Sequence, residues 1–312
     1  MEYTVLENTN LKVSRFCMGG CPMGGYGWGN VDKKELIESI HKAIDLGVNF
    51  FDTADTYGLG QSEITLSEGL SKRRKDVVIQ TKFGVRVGKG KTVYDNSPDY
   101  IREALEASLK RLKTDYIDVF TIHYRDGVTP ISCVIDTLLD LKKEGKIRYF
   151  GLSNIHKKEL GELLPYKGLF VDCQDEYSLA CKENEQDLLR VQRELKVTPL
   201  TWGSLGQGIL TGKYNKDNID FSKDDRRSRD VYVNFHGEKL EQNLRIVEEL
   251  KKIAYNHNKS VAACAIRYIL DKINDSVVIT GVKRPSQLLA NLDSFDWNLR
   301  VDEMEKLEEV SS

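Results

Sequence analysis

Six apolar runs in this 312-residue chain end in a residue that can donate a proton, accept one or hold a charge. They close on Asp52, Lys82, His123, Ser153-Asn154, Gln174 and Trp202. Each has an ordinary structural use: Asp52 as a cap, Lys82 as a rim charge, His123 as a core histidine. Together they are not easily explained as caps. Carboxylate, ammonium and imidazole gathered on one face are the groups of proton transfer at a polar bond. A metal-assisted hydrolysis by Asp52, Asp55 and His123 is one chemistry such a set allows.

What would gather them is a parallel sheet. The runs Val48–Asp52, Val77–Lys82, Ile117–His123, Ile147–Ser153, Leu169–Gln174, Thr198–Trp202 and Ser276–Thr280 are rich in Val, Ile and Phe, and Arg15–Met18 supplies an eighth. Near-continuous apolar strands are expected where both faces are buried. Segments of helical period lie between them. Ile101, Ala104, Leu105, Ser108, Leu109 and Leu112 make one stripe behind a Ser97 cap with Pro98 at the first helical position, and Ile131, Val134, Ile135, Leu138 and Leu139 make another before Gly145. Residues 3–14 read as a short hairpin. Eight strand–helix units predict a closed (β/α)8 TIM barrel with an N-terminal β-hairpin and a C-terminal helix, forming one domain over 1–312. A dinucleotide fold would need its glycines between the first strand and its helix. Here Gly19-Gly20-Cys21-Pro22-Met23-Gly24-Gly25 is followed by Tyr26-Gly27-Trp28-Gly29-Asn30 before a helix begins, so the loop is too long.

Lys+Arg number 46 and Asp+Glu 48, a net charge of −2, which argues against a nucleic-acid binder with its basic surplus. No run approaches the ~20 apolar residues of a membrane span. The start Met1-Glu2-Tyr3-Thr4-Val5 lacks the basic and apolar regions of a signal peptide. The 6 cysteines contain no Cys-x-x-Cys pair and read as reduced thiols, with no metal site. The expectation is a cytoplasmic protein.

Phe51-Asp52-Thr53-Ala54-Asp55-Thr56-Tyr57-Gly58, Thr81-Lys82, Ile122-His123 and Gly151-Leu152-Ser153-Asn154 stand in an order that resembles the aldo-keto reductases nearly end to end. Asn96-Ser97-Pro98 through Arg111-Leu112-Lys113-Thr114-Asp115-Tyr116-Ile117-Asp118 looks most like the bacterial sugar and inositol-locus branch and its potassium-channel β-subunit relatives. The resemblance implies a carbonyl reductase dependent on NADPH/NADP+, with NADH the second choice. Tyr57 would be the general acid, and Lys82, held by Asp52, would lower its reference pKa of ~10. His123, kept neutral, would orient the carbonyl oxygen. Asp55 reads as a turn residue.

Cofactor contacts carried by the same resemblance begin with Gly20, Cys21 and Asp52. Ser153, Asn154 and Gln174 would meet the carboxamide, and Trp202 would stack on the nicotinamide. Gly203, Ser204, Leu205, Gln207 and Lys213 would cover the pyrophosphate. Gly281, Lys283, Arg284, Gln287 and Asn291 would clamp the adenosine end, where two adjacent cations suit a 2′-phosphate. The chain departs from many members at Cys21, where a threonine is usual, at Gln287, where some branches use Arg, and at Ala290, where many have Glu. Loops 21–31, 84–96, 124–130 and 214–236 should surround a substrate pocket, with Trp28, Phe83, Tyr124 and Arg125 as its residues. Asp224 to Asp230 reads as a solvated lid. The partner implied is a small carbonyl, alcohol or sugar, and the same site could run as a dehydrogenase. A catalytically weak cofactor-sensing module is the alternative, and activity lost to chelators would mark the hydrolase.

Overall fold

The computed structural model describes residues 1–88 and 91–312. Two short antiparallel strands, β1 (Tyr3–Val5) and β2 (Lys12–Ser14), form the expected hairpin. Then come β3 (Phe16–Gly19), α1 (Lys33–Asp45), β4 (Phe50–Asp52), α2 (Gln61–Leu70) and β5 (Val78–Phe83). An antiparallel pair, β6 (Val85–Gly88) and β7 (Lys91–Tyr94), precedes α3 (Pro98–Leu112). Next are β8 (Ile117–Ile122), α4 (Ile131–Lys143), β9 (Ile147–Ser153), α5 (Lys157–Leu163), β10 (Phe170–Glu176), α6 (Glu185–Leu195) and β11 (Thr198–Trp202). The chain ends with α7 (Gly237–His257), α8 (Val261–Lys272), β12 (Val277–Gly281), α9 (Pro285–Leu292) and α10 (Val301–Val310).

The eight parallel strands close in the order β10-β11-β12-β3-β4-β5-β8-β9. This is the expected (β/α)8 barrel, and every strand's C-terminal end opens on one face. The helix signals act as read: Ser97 accepts from the Tyr100 amide with Pro98 behind it, and Gly145 follows α4 with φ +76. The β6–β7 arm was not foreseen. Its residues are exposed except Val85, and the Val85-Arg86-Val87 alternation is too short to announce it.

Strand alternation makes two cores. Outward residues such as Phe16, Phe51, Ile79 and Phe120 pack under the helices, while Cys17, Phe50, Val78, Val119, Val171, Leu200, Val277 and Ile279 fill the lower barrel. Leu6, Leu11 and Val13 of the hairpin join that inner core and plug its floor. Glu7 N–H donates to Thr198 Oγ1 at 2.9 Å, and Asn8 Nδ2 donates to the Phe170 and Lys196 carbonyls, which pins the plug.

Above the apolar floor lies a polar layer. Gln80 Nε2 donates to Thr121 Oγ1 at 2.6 Å and to Asp172 at 3.0 and 3.1 Å. Burial raises the Asp172 carboxyl to about 8. Space for it is supplied by Gly151, where a Cβ would sit 2.2 Å from Asp172 Oδ1. Gly151→Ala is therefore expected to destabilise the barrel by about 1–3 kcal/mol through overpacking. Urea unfolding followed by circular dichroism tests this, and an unchanged midpoint would contradict it.

Candidate active site

The register of the barrel sets Asp52 beside Gln80, so Lys82 stands one inward position higher, at the mouth. Its Nζ donates to Asp52 Oδ1 and Oδ2 at 2.7 Å each and to the Thr53 carbonyl at 3.0 Å. Tyr57 Oη is its fourth neighbour at 3.4 Å. Gln174 Nε2 donates to Asp52 Oδ2 at 2.7 Å from across the barrel. The ammonium is 1% exposed, so this carboxylate is what keeps it charged. Tyr57 is delivered by the turn after β4, where its amide donates to the Ala54 carbonyl. Gly58 follows with φ +61, and a Cβ there would lie within 2.2 Å of the Gly24 carbonyl oxygen. Only glycine lets that turn pass. His123 caps β8, and its ring meets the Tyr57 ring edge to face at 6.0 Å and 84°.

The electrostatics differ from expectation at Tyr57. Burial, and then the Asp52 carboxylate, raise the phenol well above 10. The 3.4 Å contact with Lys82 does not outweigh these two effects. The phenol is held protonated. Burial, reinforced by Lys82, pushes His123 well below 6.5, and its Nδ1 is sealed without a partner. The imidazole is neutral, as expected.

Around this centre the polar groups divide into free and spent. Ser153 Oγ accepts from Asn154 Nδ2, which also donates to the His123 carbonyl at 3.0 Å. Among the described residues Asn154 Oδ1 and Gln174 Oε1 receive no protein hydrogen bond. Ser204 Oγ is spent on the Thr201 and Ile279 carbonyls, so only its backbone can meet a ligand. Gln207 is also spent: Nε2 donates to Glu176 and Oε1 accepts from Asn234. Gln287 accepts from the Lys283 amide and closes the turn into α9. The Ser204 and Gln207 side chains leave the expected contact set for that reason, while Gln287 keeps its Nε2 donors. Glu176 was missed, although two residues past Gln174 is where period two returns to the mouth.

Gly203, Gly206, Gln207, Gly208 and Gly212 all have positive φ, turning successive backbone amides along one winding loop. Beside it stand Lys213, Arg227, Lys283 and Arg284. Arg227 is paired with Asp225 at 2.6 Å, while Lys213, Lys283 and Arg284 form no ion pair among the described residues. Burial, then Arg227 and Lys213, lower the Lys283 ammonium. Crowded cations with one carboxylate among them fit a polyphosphate, and Asn291, buried on α9, lies at the same end.

The 224–230 segment is a built strap rather than a solvated lid. The Arg226 amide donates to the Gly27 carbonyl at 3.0 Å, and Lys283 Nζ donates to the Trp28 carbonyl at 2.7 Å. Arg227 donates to Tyr214 at 2.7 Å and lies 4.4 Å over the Phe221 ring. The strap and the β3–α1 loop thus join across the cleft.

Of the expected pocket residues, Tyr124 stacks on His123 at 5.0 Å, and Tyr94 of the arm stacks on Tyr124 at 5.1 Å. Trp28 stands opposite, edge to face with Tyr232, its indole donating to Cys21 Sγ at 3.2 Å. Burial raises the Cys21 thiol, which makes it inert. Phe83 does not reach the pocket: with Lys82 inward, it points outward onto Phe120 at 4.6 Å. Arg125 is likewise withdrawn, bonded to Asn96, Glu162 and the Thr129 carbonyl. Among the described residues no group of three or more His, Cys, Asp or Glu could hold a metal, and no helix is long and apolar enough to cross a membrane.

The sequence matches the Aldo/keto reductase family over residues 15–312. It is 33% identical to the aldo-keto reductase YhdN of Bacillus subtilis, covering 99% of this chain and 93% of that one. It is 30% identical to the NADH-specific methylglyoxal reductase of Escherichia coli, over 96% of this chain and 95% of the other. Among solved structures, the glycerol dehydrogenase AKR11B4 of Gluconobacter oxydans superposes with a TM-score of 0.88 at 31% identity, covering 99% of this chain and 94% of that one. The closed barrel, the polar set at its mouth and these likenesses together make the chain a member of the aldo/keto reductase family, an oxidoreductase family that uses nicotinamide cofactors.

Proposed function

We propose that the protein reduces an aldehyde, ketone or sugar carbonyl with NADPH, Tyr57 serving as the general acid. The observation that carries this reading is a protonated phenol 3.4 Å from an ammonium that Asp52 holds in place, with a neutral imidazole across the phenol ring.

A carbonyl oxygen seated between Tyr57 Oη and His123 meets donors on both sides. When bound, the nicotinamide supplies the hydride for the carbonyl carbon. As negative charge develops on the oxygen, Tyr57 transfers its proton to it. The phenolate left behind is stabilised by Lys82, whose charge counts for more once the phenol is ionised. Asp52 keeps Lys82 charged and aimed, and solvent returns the proton to Tyr57. In the opposite direction the phenolate must form first and take the alcohol proton.

Ser153, Asn154 and Gln174 offer the donors and acceptors that a carboxamide needs, with Trp202 as the platform for the ring. The amides of the 203–208 loop, with Lys213, suit the pyrophosphate. Lys283 and Arg284 suit a 2′-phosphate, which favours NADPH, with Gly20, Gly281 and Asn291 lining the same cleft. The withdrawal of Arg125 leaves the Tyr124 and Tyr94 side of the pocket wall aromatic, which suits a substrate with an apolar part.

Tyr57→Phe is expected to lower kcat by about 10²–10⁴-fold, the range for losing a general acid, with NADPH affinity within threefold (about 0.6 kcal/mol). Wild-type turnover in that variant would remove Tyr57 from the mechanism. Because the phenol is raised and His123 is lowered, neither group titrates near neutrality. Saturated reduction should hold a constant kcat from about pH 6 to 9, while alcohol oxidation should rise about tenfold per pH unit. A reduction kcat that falls as pH climbs from 7 to 8 would contradict the raised phenol. Arg284→Ala, alone and with Lys283→Ala, should weaken NADPH by about 10–100-fold and NADH far less. Fluorescence titration with both cofactors tests this, and equal losses would sink the phosphate assignment.

A further inference from the structure

We propose that Asp55 is carried as the protonated acid and is the positioning residue that fixes the β6–β7 arm against the barrel mouth. Asp55 lies two residues before Tyr57, and its amide reaches toward the Lys82 carbonyl at 3.5 Å. Its carboxyl turns away from the Asp52–Lys82 pair, toward α3 and the base of the arm. Oδ2 is 3.2 Å from Tyr100 Oη, and Oδ1 is sealed from solvent with no protein partner.

The proton count decides its state. Tyr100 Oη is also 2.8 Å from the Val85 carbonyl oxygen, and a phenol has one proton to give. A carbonyl can only accept, so the shorter contact takes the Tyr100 proton. The 3.2 Å contact is then a hydrogen bond only if Asp55 supplies a proton to Tyr100 Oη. An ionised Asp55 would leave either its own oxygen or Val85 without a donor.

Among the described residues no neighbouring cation is free to hold a carboxylate there. On α3, Arg111 donates to Glu63 at 2.5 Å, and Glu63 on α2 also accepts from Thr81 at 2.6 Å. On β5, Lys82 is spent on Asp52. On β6, Arg86 lies 4.5 Å over the Tyr100 ring but pairs with Glu103 at 2.7 Å and Asp95 at 3.4 Å. On its own turn stands Tyr57, which is neutral. Burial, then Glu63, raise Asp55 to about 7 against the opposing pull of Tyr100, Arg111 and the Thr56 amide.

The consequence reaches the pocket through Val85. Val85 opens β6 and pairs in register with Tyr94, whose ring stacks on Tyr124 and so on His123. Loss of the Asp55 proton to solvent lets the carboxylate draw the Tyr100 proton from Val85. The arm then loses its anchor and the aromatic wall its outer ring. The catalytic part of the test rests on the reading of Tyr57 and His123 above; the structural part does not.

The experiment compares wild type with Asp55→Asn, whose amide can donate to Tyr100 at any pH. With 4-nitrobenzaldehyde and NADPH, wild-type KM should rise severalfold from pH 6.5 to 8.5 at constant kcat, while Asp55→Asn stays within twofold. Amide hydrogen exchange of 85–88 and 91–94, corrected for intrinsic rates, should speed up severalfold over that range in wild type alone. Tyr100→Phe should leave the arm fast-exchanging at every pH, and it serves if Asp55→Asn fails to fold. Exchange that is independent of pH in wild type, or equally pH-dependent in wild type and both variants, overturns the proposal. Absence of turnover with the pH step in exchange retained would count against the catalytic reading alone.

Discussion

Lys82 sits at the mouth of a closed ring of strands because two oxygens of Asp52 stand 2.7 Å from its nitrogen. Taking both charges out of water costs several kcal/mol per ion unless the remaining hydrogen bonds are met. Here the Thr53 carbonyl and the Gln174 amide meet them. The pair therefore ties β4, β5 and β10 together at one level. Tyr57 is placed by the turn that begins at Asp52, and His123 by the strand beside Lys82. Break the pair and the mouth holds an uncompensated buried charge, so geometry and electrostatics fail together.

Burial, and then the Asp52 carboxylate, hold the phenol as an acid although the Lys82 ammonium is 3.4 Å away. The positive charge becomes effective only when negative charge appears on Tyr57, which is the behaviour a proton donor requires. The barrel beneath is built to keep this level fixed, with a hairpin plug, an apolar layer and the Gln80–Asp172 layer stacked under it. On the other side of the cleft the strap is tied to the β3–α1 loop by the Arg226 amide on the Gly27 carbonyl and by Arg229 on Tyr26, and it presents cations.

Much of this was legible in residue patterns. Buried parallel strands announce themselves by near-continuous Val, Ile and Phe, and the ends of those runs named Asp52, Lys82, His123, Asn154 and Gln174. Capping by Ser97-Pro98 was local and so readable. What failed was decided at longer range. Phe83 and Lys82 are adjacent, and only the inward direction of Lys82 sends Phe83 to the helices. Arg125, Gln207 and Ser204 have the types expected of ligand contacts, but partners distant in sequence consume their donors. The β6–β7 arm is exposed, its Val87, Val93 and Tyr94 included, and its strands are too short for a periodicity to mark them. The phenol's raised state could not be read from spacing, because it depends first on how completely the fold buries Tyr57 and then on the nearby Asp52 carboxylate.

The most direct measurement is ultraviolet difference titration of phenolate, wild type against Tyr57→Phe, from pH 6 to 10. The account predicts that the two titrations coincide over this range, because Tyr57 keeps its proton throughout. One additional phenolate appearing in wild type near pH 7 to 8, absent from Tyr57→Phe, would contradict it.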